Sequence, residues 1–297
     1  MKSSNSAYER SVKAFRSDLQ MRAFVEKNYL DEDISAAVSR FAASKEFVGL
    51  LCVLDPYLFK GVRIAELGAG RGLVSLALAS EGMSITSVEL DPSYLVGLGA
   101  LRRYLEKVPS RISPVRADIL QLPFRNGEFD IVLCRSVLHH LPDLSEGLYE
   151  INRVLKPGGV CVAWKEHIIS PFSSGRRFLA CHPAVAFGVD ERAYSCWTYR
   201  RRFQRAGFKN IVIEGSSVLD FGEFVSLTHR ANPIRSRLSR LPLLGAAMAQ
   251  IFYGAHRLMR GPLGSVFVAE ESLPVVSIRA CKPSTGKYPG EGLFERE

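Results

Sequence analysis

The segment Arg63-Ile-Ala-Glu-Leu-Gly-Ala-Gly-Arg-Gly-Leu-Val74 constrains the chain more than any other. An apolar, β-branched run enters it, a helical pattern leaves it at about Leu73, and Gly68, Gly70 and Gly72 occupy the turn between. Glycine reaches left-handed backbone at no steric cost and lets a ligand lie against the main chain. The helix that follows opens with unpaired N–H groups. Spacing narrows the choices. The third glycine falls one residue early for Gly-x-Gly-x-x-Gly, because position 73 is leucine, and no Gly-Lys-Ser/Thr follows, so the turn is not a P-loop.

From Gly61 onward, short apolar runs alternate with helical patterns. Val62–Leu67, Ser84–Leu90, Phe129–Cys134 and Gly159–Lys165 read as strands; Leu73–Ser80, Tyr94–Leu105 and Leu144–Leu155 read as helices. That alternation predicts a parallel sheet wrapped by helices on both faces. Upstream, residues 8–54 read as two helices, the second capped by Asp31-Glu32-Asp33 and stopped by Asp55-Pro56. Downstream come a loop-like stretch at 167–193, a helix at Trp197–Ala206 ended by Gly207, and a strand at Lys209–Glu214. A basic helical stretch at about 222–260, a last strand at Pro274–Cys281 and a polar tail complete the chain.

With 297 residues, 47% hydrophobic and 23% charged, the chain can pack one large domain or two modest ones and is not disordered wholesale. No apolar run is long enough to span a bilayer, and the N-terminus lacks a signal-peptide core, so the expected location is cytoplasmic. None of the six cysteines forms a C-x₂₋₄-C pair, which argues for reduced core thiols and against a zinc knuckle; no metal is expected. The charge is uneven. Residues 176–260 hold 14 Lys/Arg against 5 Asp/Glu, which accounts for the whole net charge of +9. Either an anionic partner or a solvated basic face fits that excess.

Two acids follow the glycine turn in order. Glu89 lies 21 residues after Gly68 at the end of the next strand, where a carboxylate can accept two ribose hydroxyls. Asp118 ends the following unit, Val115-Arg-Ala-Asp-Ile119, where it can accept from an adenine amino group. Three strand ends thus bring polar groups to one crevice.

Glu66-Leu-Gly-Ala-Gly-Arg-Gly72, Val88-Glu-Leu-Asp-Pro92, Ala117-Asp-Ile119, Leu122-Pro-Phe124, Phe129-Asp-Ile-Val-Leu-Cys134, Leu138-His-His-Leu-Pro142 and Val154-Leu-Lys-Pro-Gly-Gly159 resemble the successive motifs of class I S-adenosylmethionine-dependent methyltransferases. Arg205-Ala-Gly-Phe208 is similar to theirs as well. The resemblance implies an α/β, Rossmann-like doubly wound sheet, mostly parallel with an antiparallel last strand, plus a helical N-terminal cap and a helical C-terminal insert. The expected divisions are a cap at 1–56, a methyltransferase core at 57–215, a basic insert at 216–272, and the last strand with its tail at 273–297. It also implies S-adenosylmethionine as cofactor. Gly68, Ala69 and Gly70 would pack against its methionine part with Glu66 supporting the loop. Glu89 would hold the ribose and Leu90 would lie against the adenine. Asp118 and the N–H of Ile119 would bind the adenine edge, and the Cys134 carbonyl and Arg135 would lie near the amino-acid end. Arginine at 135 departs from the small or polar residue common in the family, so it salt-bridges the cofactor carboxylate or faces the acceptor.

Methyl transfer from a sulfonium needs alignment and exclusion of water more than covalent catalysis. A base helps where the acceptor is a hydroxyl or ammonium. His140 and His167 are the candidates, with His139 expected to point inward, Glu166 an alternative beside His167, and His182 weaker. The competing role for the histidine pair is structural. Arg176 and Arg177 suit a phosphate or carboxylate on the acceptor, or are merely solvated. Tyr8, Phe15, Phe24 and Tyr29 form either a lid over the sulfonium or helix–helix packing. The insert reads as a cap walling the acceptor pocket, a homodimer interface, or, through residues 230–260, a peripheral membrane contact. The expected activity is methylation of a small-molecule or glycan-type metabolite on a hydroxyl, ahead of amine or carbon. The alternatives are a lipid or quinone methyltransferase, an RNA methyltransferase, and a non-catalytic cofactor-binding partner. Nucleic acid is disfavoured because aromatics interleaved with basic residues are sparse.

Overall fold

The computed structural model describes residues 6–108, 110–169, 178–180, 182–215 and 275–284. Seven strands form one sheet: β1 (Ile64–Leu67), β2 (Ile85–Val88), β3 (Ile112–Val115), β4 (Phe129–Arg135), β5 (Leu155–His167), β6 (Lys209–Gly215) and β7 (Val275–Cys281). They lie in the order β3-β2-β1-β4-β5-β7-β6. The first five pair in parallel, and β7 runs antiparallel between β5 and β6. The expected doubly wound sheet with an antiparallel last strand is what forms.

The central strands read as continuous apolar runs because both faces are covered. Along β4, Ile131 and Leu133 pack with Phe47, Leu54, Val74 and Leu101 on one face. Val132 and Cys134 pack with Leu148, Ile151, Tyr199 and Phe203 on the other. The first face is covered by α4 (Lys45–Leu54), α5 (Leu73–Ser80) and α6 (Leu98–Lys107), and the second by α7 (Leu144–Val154) and α8 (Cys196–Arg205). Each fully buried Leu, Ile or Phe contributes about 1.5–3 kcal/mol.

The N-terminal cap differs from the two-helix expectation. It comprises α1 (Ala7–Ser17), α2 (Arg22–Lys27), α3 (Ile34–Ala42) and α4. The apolar period runs on through the breaks, but polar side chains restart the helix. Asp18 turns extended and accepts from Gln20 N–H, and Ser44 accepts from Phe47 N–H. Asp33 caps α3 as its sequence position predicts. Helix α6 begins at Leu98 and not at Tyr94, because residues 91–97 curl back: Leu98 N–H donates to Asp91 C=O. At Gly97 a Cβ would stand 2.2 Å from that oxygen.

The five cysteines among the described residues are free thiols, buried at 134, 161 and 196, half-buried at 281 and exposed at 52. No helix among these residues is long and apolar enough to cross a membrane. The basic insert, with its cap, dimer and membrane readings, lies outside the described residues.

Candidate active site

The carboxyl edge of the sheet carries the crevice. Gly68 (φ +66°) and Gly70 (φ +55°) are both left-handed, and α5 starts at Leu73 as expected. A Cβ on Gly68 would come within 2.5 Å of Val137, so the loop is pressed against the chain that follows β4. Glu66 is buried and bonded by Ser75 of α5, which itself bonds Ser87. Burial raises the Glu66 carboxyl to about 7 against the pull of Ser75. This acid ties β1 to the helix behind the loop.

Glu89 accepts Gly70 N–H at 2.7 Å through one oxygen and Asp91 N–H at 2.8 Å through the other. Each oxygen keeps a lone pair for a further donor. Leu90 beside it is 52% exposed, an apolar platform at the mouth of the crevice. Asp118 is exposed and caps its own turn by accepting from Leu120 N–H, while the Ile119 side chain packs into the core.

The cap closes the crevice from the other side. Arg71, within the glycine turn, is buried and donates to the carbonyls of Tyr29 and Asp31. Arg16 of α1 donates to Leu30 and Asp31 carbonyls. Burial, with Arg16 nearby, lowers Arg71 to about 10. Ser6 donates to Asp91 at 2.7 Å, bringing the start of α1 over the loop after β2. Phe15, Phe24 and Tyr29 pack as the helix–helix reading expects, Phe15 against Phe24 and Phe187, and Tyr29 against Phe41. Tyr8 is different. It keeps 39% of its surface accessible, yet burial raises its phenol, with Arg135, Glu191, Arg71 and Glu89 close enough to bias it.

Arg135 points into the cap, over the Phe41 ring, and its Nε donates to Glu46 of α4 at 2.8 Å. Glu46 stays low despite burial because Arg135 and Lys165 flank it, and Lys165 falls to about 8. Arg135 thus spends its Nε on an ion pair with Glu46, while its Nη2 is buried with no partner. Ser136 and Lys165 both hold left-handed backbone for non-glycine residues (φ +55° and +62°) where β4 and β5 end. Strain gathers at this edge.

Beyond it stand the histidines. Buried Glu166 accepts the N–H groups of Val137, Leu138 and His139 and faces His139 Nδ1 at 2.7 Å. Burial raises this carboxyl against those donors, and burial drives His139 well below the usual imidazole range. Glu166 is an anchor with its oxygens occupied, not an orienting group for an acceptor. His139 turns inward as expected, and His140 is about one-third exposed, its Nδ1 2.9 Å from Asp190 C=O. His167 stacks between the His139 and His182 rings, with centroids at 4.4 and 5.2 Å. Burial lowers His167 to about 2, an environment for a lone-pair donor and a poor one for a general base, against its candidacy as one. Glu191 joins them: 3.7 Å from His139 Nε2, 3.8 Å from His140 Nδ1 and 3.5 Å from His182 Nδ1. One donor atom from each of His139, His167 and Glu191 lies within 4.8 Å of the others, a grouping that no sequence spacing announces.

Residues 65–163 match the family described as a methyltransferase domain, across the strands that build this crevice. Over that stretch, about a third of its length, the chain is similar to methyltransferase domains. Within the compared sequences, it is 35% identical over 133 residues to an uncharacterized chloroplastic methyltransferase of Arabidopsis thaliana, covering 43% of this chain and 37% of that one. It is 32% identical over 101 residues to a ubiquinone biosynthesis O-methyltransferase of Azotobacter vinelandii (33% and 42% covered). A demethylmenaquinone methyltransferase of Clavibacter sepedonicus is 39% identical over 100 residues (33% and 39%). The match thus spans about two-fifths of each relative's length. In fold, the chain resembles phosphoethanolamine N-methyltransferase 2 of Haemonchus contortus, solved with S-adenosyl-L-methionine (TM-score 0.55, 19% identity, 80% and 53% covered). It also resembles the [4+2]-cyclase SpnF (TM-score 0.52, 20% identity, 80% and 81%).

The residues named from sequence at the loop, at 89–90 and at 118–119 all follow the carboxyl ends of β1, β2 and β3. Arg176 and Arg177 lie outside the described residues. Sequence reasoning missed Glu191, Glu46 and Arg192, whose guanidinium donates to the His140 and Leu141 carbonyls. Glu191 and Arg192 sit in the irregular stretch read only as a loop. The two charges flanking proline- and glycine-rich chain were the one available signal.

Proposed function

We propose that the chain is an S-adenosylmethionine-dependent methyltransferase acting on the hydroxyl of a small molecule. The observation that carries this reading is the set of unspent groups at the ends of β2 and β4, which suit such a cofactor. Glu89 has lone pairs left for ribose hydroxyls, Leu90 offers an apolar face to an adenine, and Arg135 Nη2 is a buried donor without a partner, suited to a carboxylate. Gly68 and Gly70 would lie against the methionine part, and Asp118 and the Ile119 N–H would serve the adenine edge. When bound, S-adenosylmethionine supplies an electrophilic methyl group on a sulfonium.

The protein's task is then to align the acceptor, exclude water and remove a proton. The cap, pinned by Arg71 and Ser6, excludes water. His140 is placed for the proton: with Nδ1–H donated to Asp190 C=O, its Nε2 presents the lone pair. A second reading, a lipid or quinone acceptor, draws support from the ubiquinone and demethylmenaquinone enzymes among the relatives. The arginines of residues 230–260 would then meet the membrane surface.

The test is calorimetric titration of the purified chain with S-adenosylmethionine and, in parallel, NAD. Micromolar binding of the former alone, weakened at least tenfold by Glu89→Ala, is expected. Binding of NAD instead, or an unchanged affinity in Glu89→Ala, overturns the assignment.

A further inference from the structure

Three of the buried side-chain atoms with no hydrogen-bond partner converge at one place: His167 Nδ1, His182 Nδ1 and Glu191 Oε2. Buried polar groups are nearly always satisfied, so a cluster of orphans needs an explanation. Protonating Glu191 does not supply one. Its Oε2 stands 3.7 Å from His139 Nε2 and 3.8 Å from His140 Nδ1, beyond hydrogen-bond range.

A cation would satisfy them together. His139 is already prepared: Glu166 faces its Nδ1 at 2.7 Å, which fixes the ring and turns the Nε2 lone pair toward Glu191. A carboxylate behind a histidine is the usual outer support of a metal-bound imidazole. We propose that His139, His167 and Glu191 form a binding site for a divalent transition-metal ion of the Zn²⁺ type, with His182 steadying Glu191. Two imidazoles and one carboxylate select borderline metals over Mg²⁺ or Ca²⁺, and three protein ligands leave a coordination position open.

Bonds of about 2.0–2.1 Å in tetrahedral array put donor atoms about 3.3 Å apart. The present spread of up to 4.8 Å must therefore contract. Glu191, on irregular chain, and the His167 ring provide that movement, since Glu166 holds His139. The site stands where β4 and β5 end, beside the glycine loop that Val137 touches, on the acceptor side of the crevice.

The test uses the full chain stripped with chelator and titrated with Zn²⁺ alone, without S-adenosylmethionine, so its failure is separate from failure of the methyltransferase reading. One site of submicromolar affinity is expected, with no Mg²⁺ binding of comparable strength. His167→Gln and Glu191→Gln should each weaken Zn²⁺ about 100-fold while keeping the wild-type circular dichroism. Co²⁺ should give visible d–d bands with no thiolate charge-transfer band in the near ultraviolet. No binding, equal affinity in both variants, or a thiolate band from a cysteine site such as Cys52 would each overturn the proposal. If the variants fail to fold, the wild-type Co²⁺ spectrum decides.

Discussion

The two ends of the crevice are built by different means. At the glycine end, Glu66, Gly68, Gly70, Ser75, Glu89 and Asp91 act within 26 consecutive residues, and the main chain does most of the shaping. At the histidine end, Glu166 reaches back 27 to 29 residues to hold Val137–His139, while His182 arrives at the start of the 3₁₀ turn Pro183–Phe187 and Glu191 on irregular chain after it. A backbone-shaped site has few positions that cannot change. A side-chain-shaped site has many, and it titrates.

The largest expected effect is at the histidine end. Glu166→Leu leaves three buried N–H groups and the His139 ring without an acceptor and should cost about 3–5 kcal/mol in denaturant unfolding. A loss under about 1 kcal/mol would show that the network is dispensable and break the contrast. Gly68→Ala comes next. Its Cβ meets Val137 at 2.5 Å on left-handed backbone, which should cost about 2–3 kcal/mol and reduce S-adenosylmethionine affinity at least tenfold. Wild-type affinity would mean that the loop yields.

The pH profile sharpens the comparison. His167 and His182 are lowered to about 2 and 4 from 6.5, so their contribution is present above about pH 6.5 and lost as pH falls toward 4 and below. Glu191, raised to about 8 from 4.5, contributes below about pH 4.5 and loses that contribution as pH climbs to 8. Two histidines outweigh one glutamate up to about pH 6.5, so chelated protein should be most stable near that pH, and Glu191→Gln should flatten the alkaline limb alone. An alkaline limb unaltered by that change assigns it to other groups. The smallest effect belongs to His140→Ala, which should shift stability by no more than about 0.5 kcal/mol and leave cofactor affinity unchanged, because the ring is partly exposed. A tenfold loss of affinity would place His140 in the cofactor half.

How legible each end was in sequence follows from the same difference. The helix start at Leu73, the acid at 89 and the inward turn of His139 were readable because strand, turn and helix periods are local. The breaks at Asp18 and Ser44 were not read, although both residues are good caps, because the apolar spacing continues across them. Arg135 was expected at the cofactor or the acceptor. Its pairing with Glu46, 89 residues away, depends on how the cap docks, which no local pattern records. Glu191 carries no motif at all. Only the folding of residues 182–195 beneath His139 gives it a role.

Strand β7 sits between β5 and β6, yet residues 216–274 separate it from β6 along the chain. During synthesis, everything that shapes the crevice through β5 leaves the ribosome well before the strand that covers β5's edge. At roughly 5–20 residues per second, the intervening stretch takes about three to twelve seconds to make. For that interval residues 160–167 of β5 lack the partner that β7 provides, and β6, which pairs only with β7 among the described strands, lacks its ladder too. The nascent chain therefore carries an unpaired, aggregation-prone edge for as long as residues 216–274 take to make.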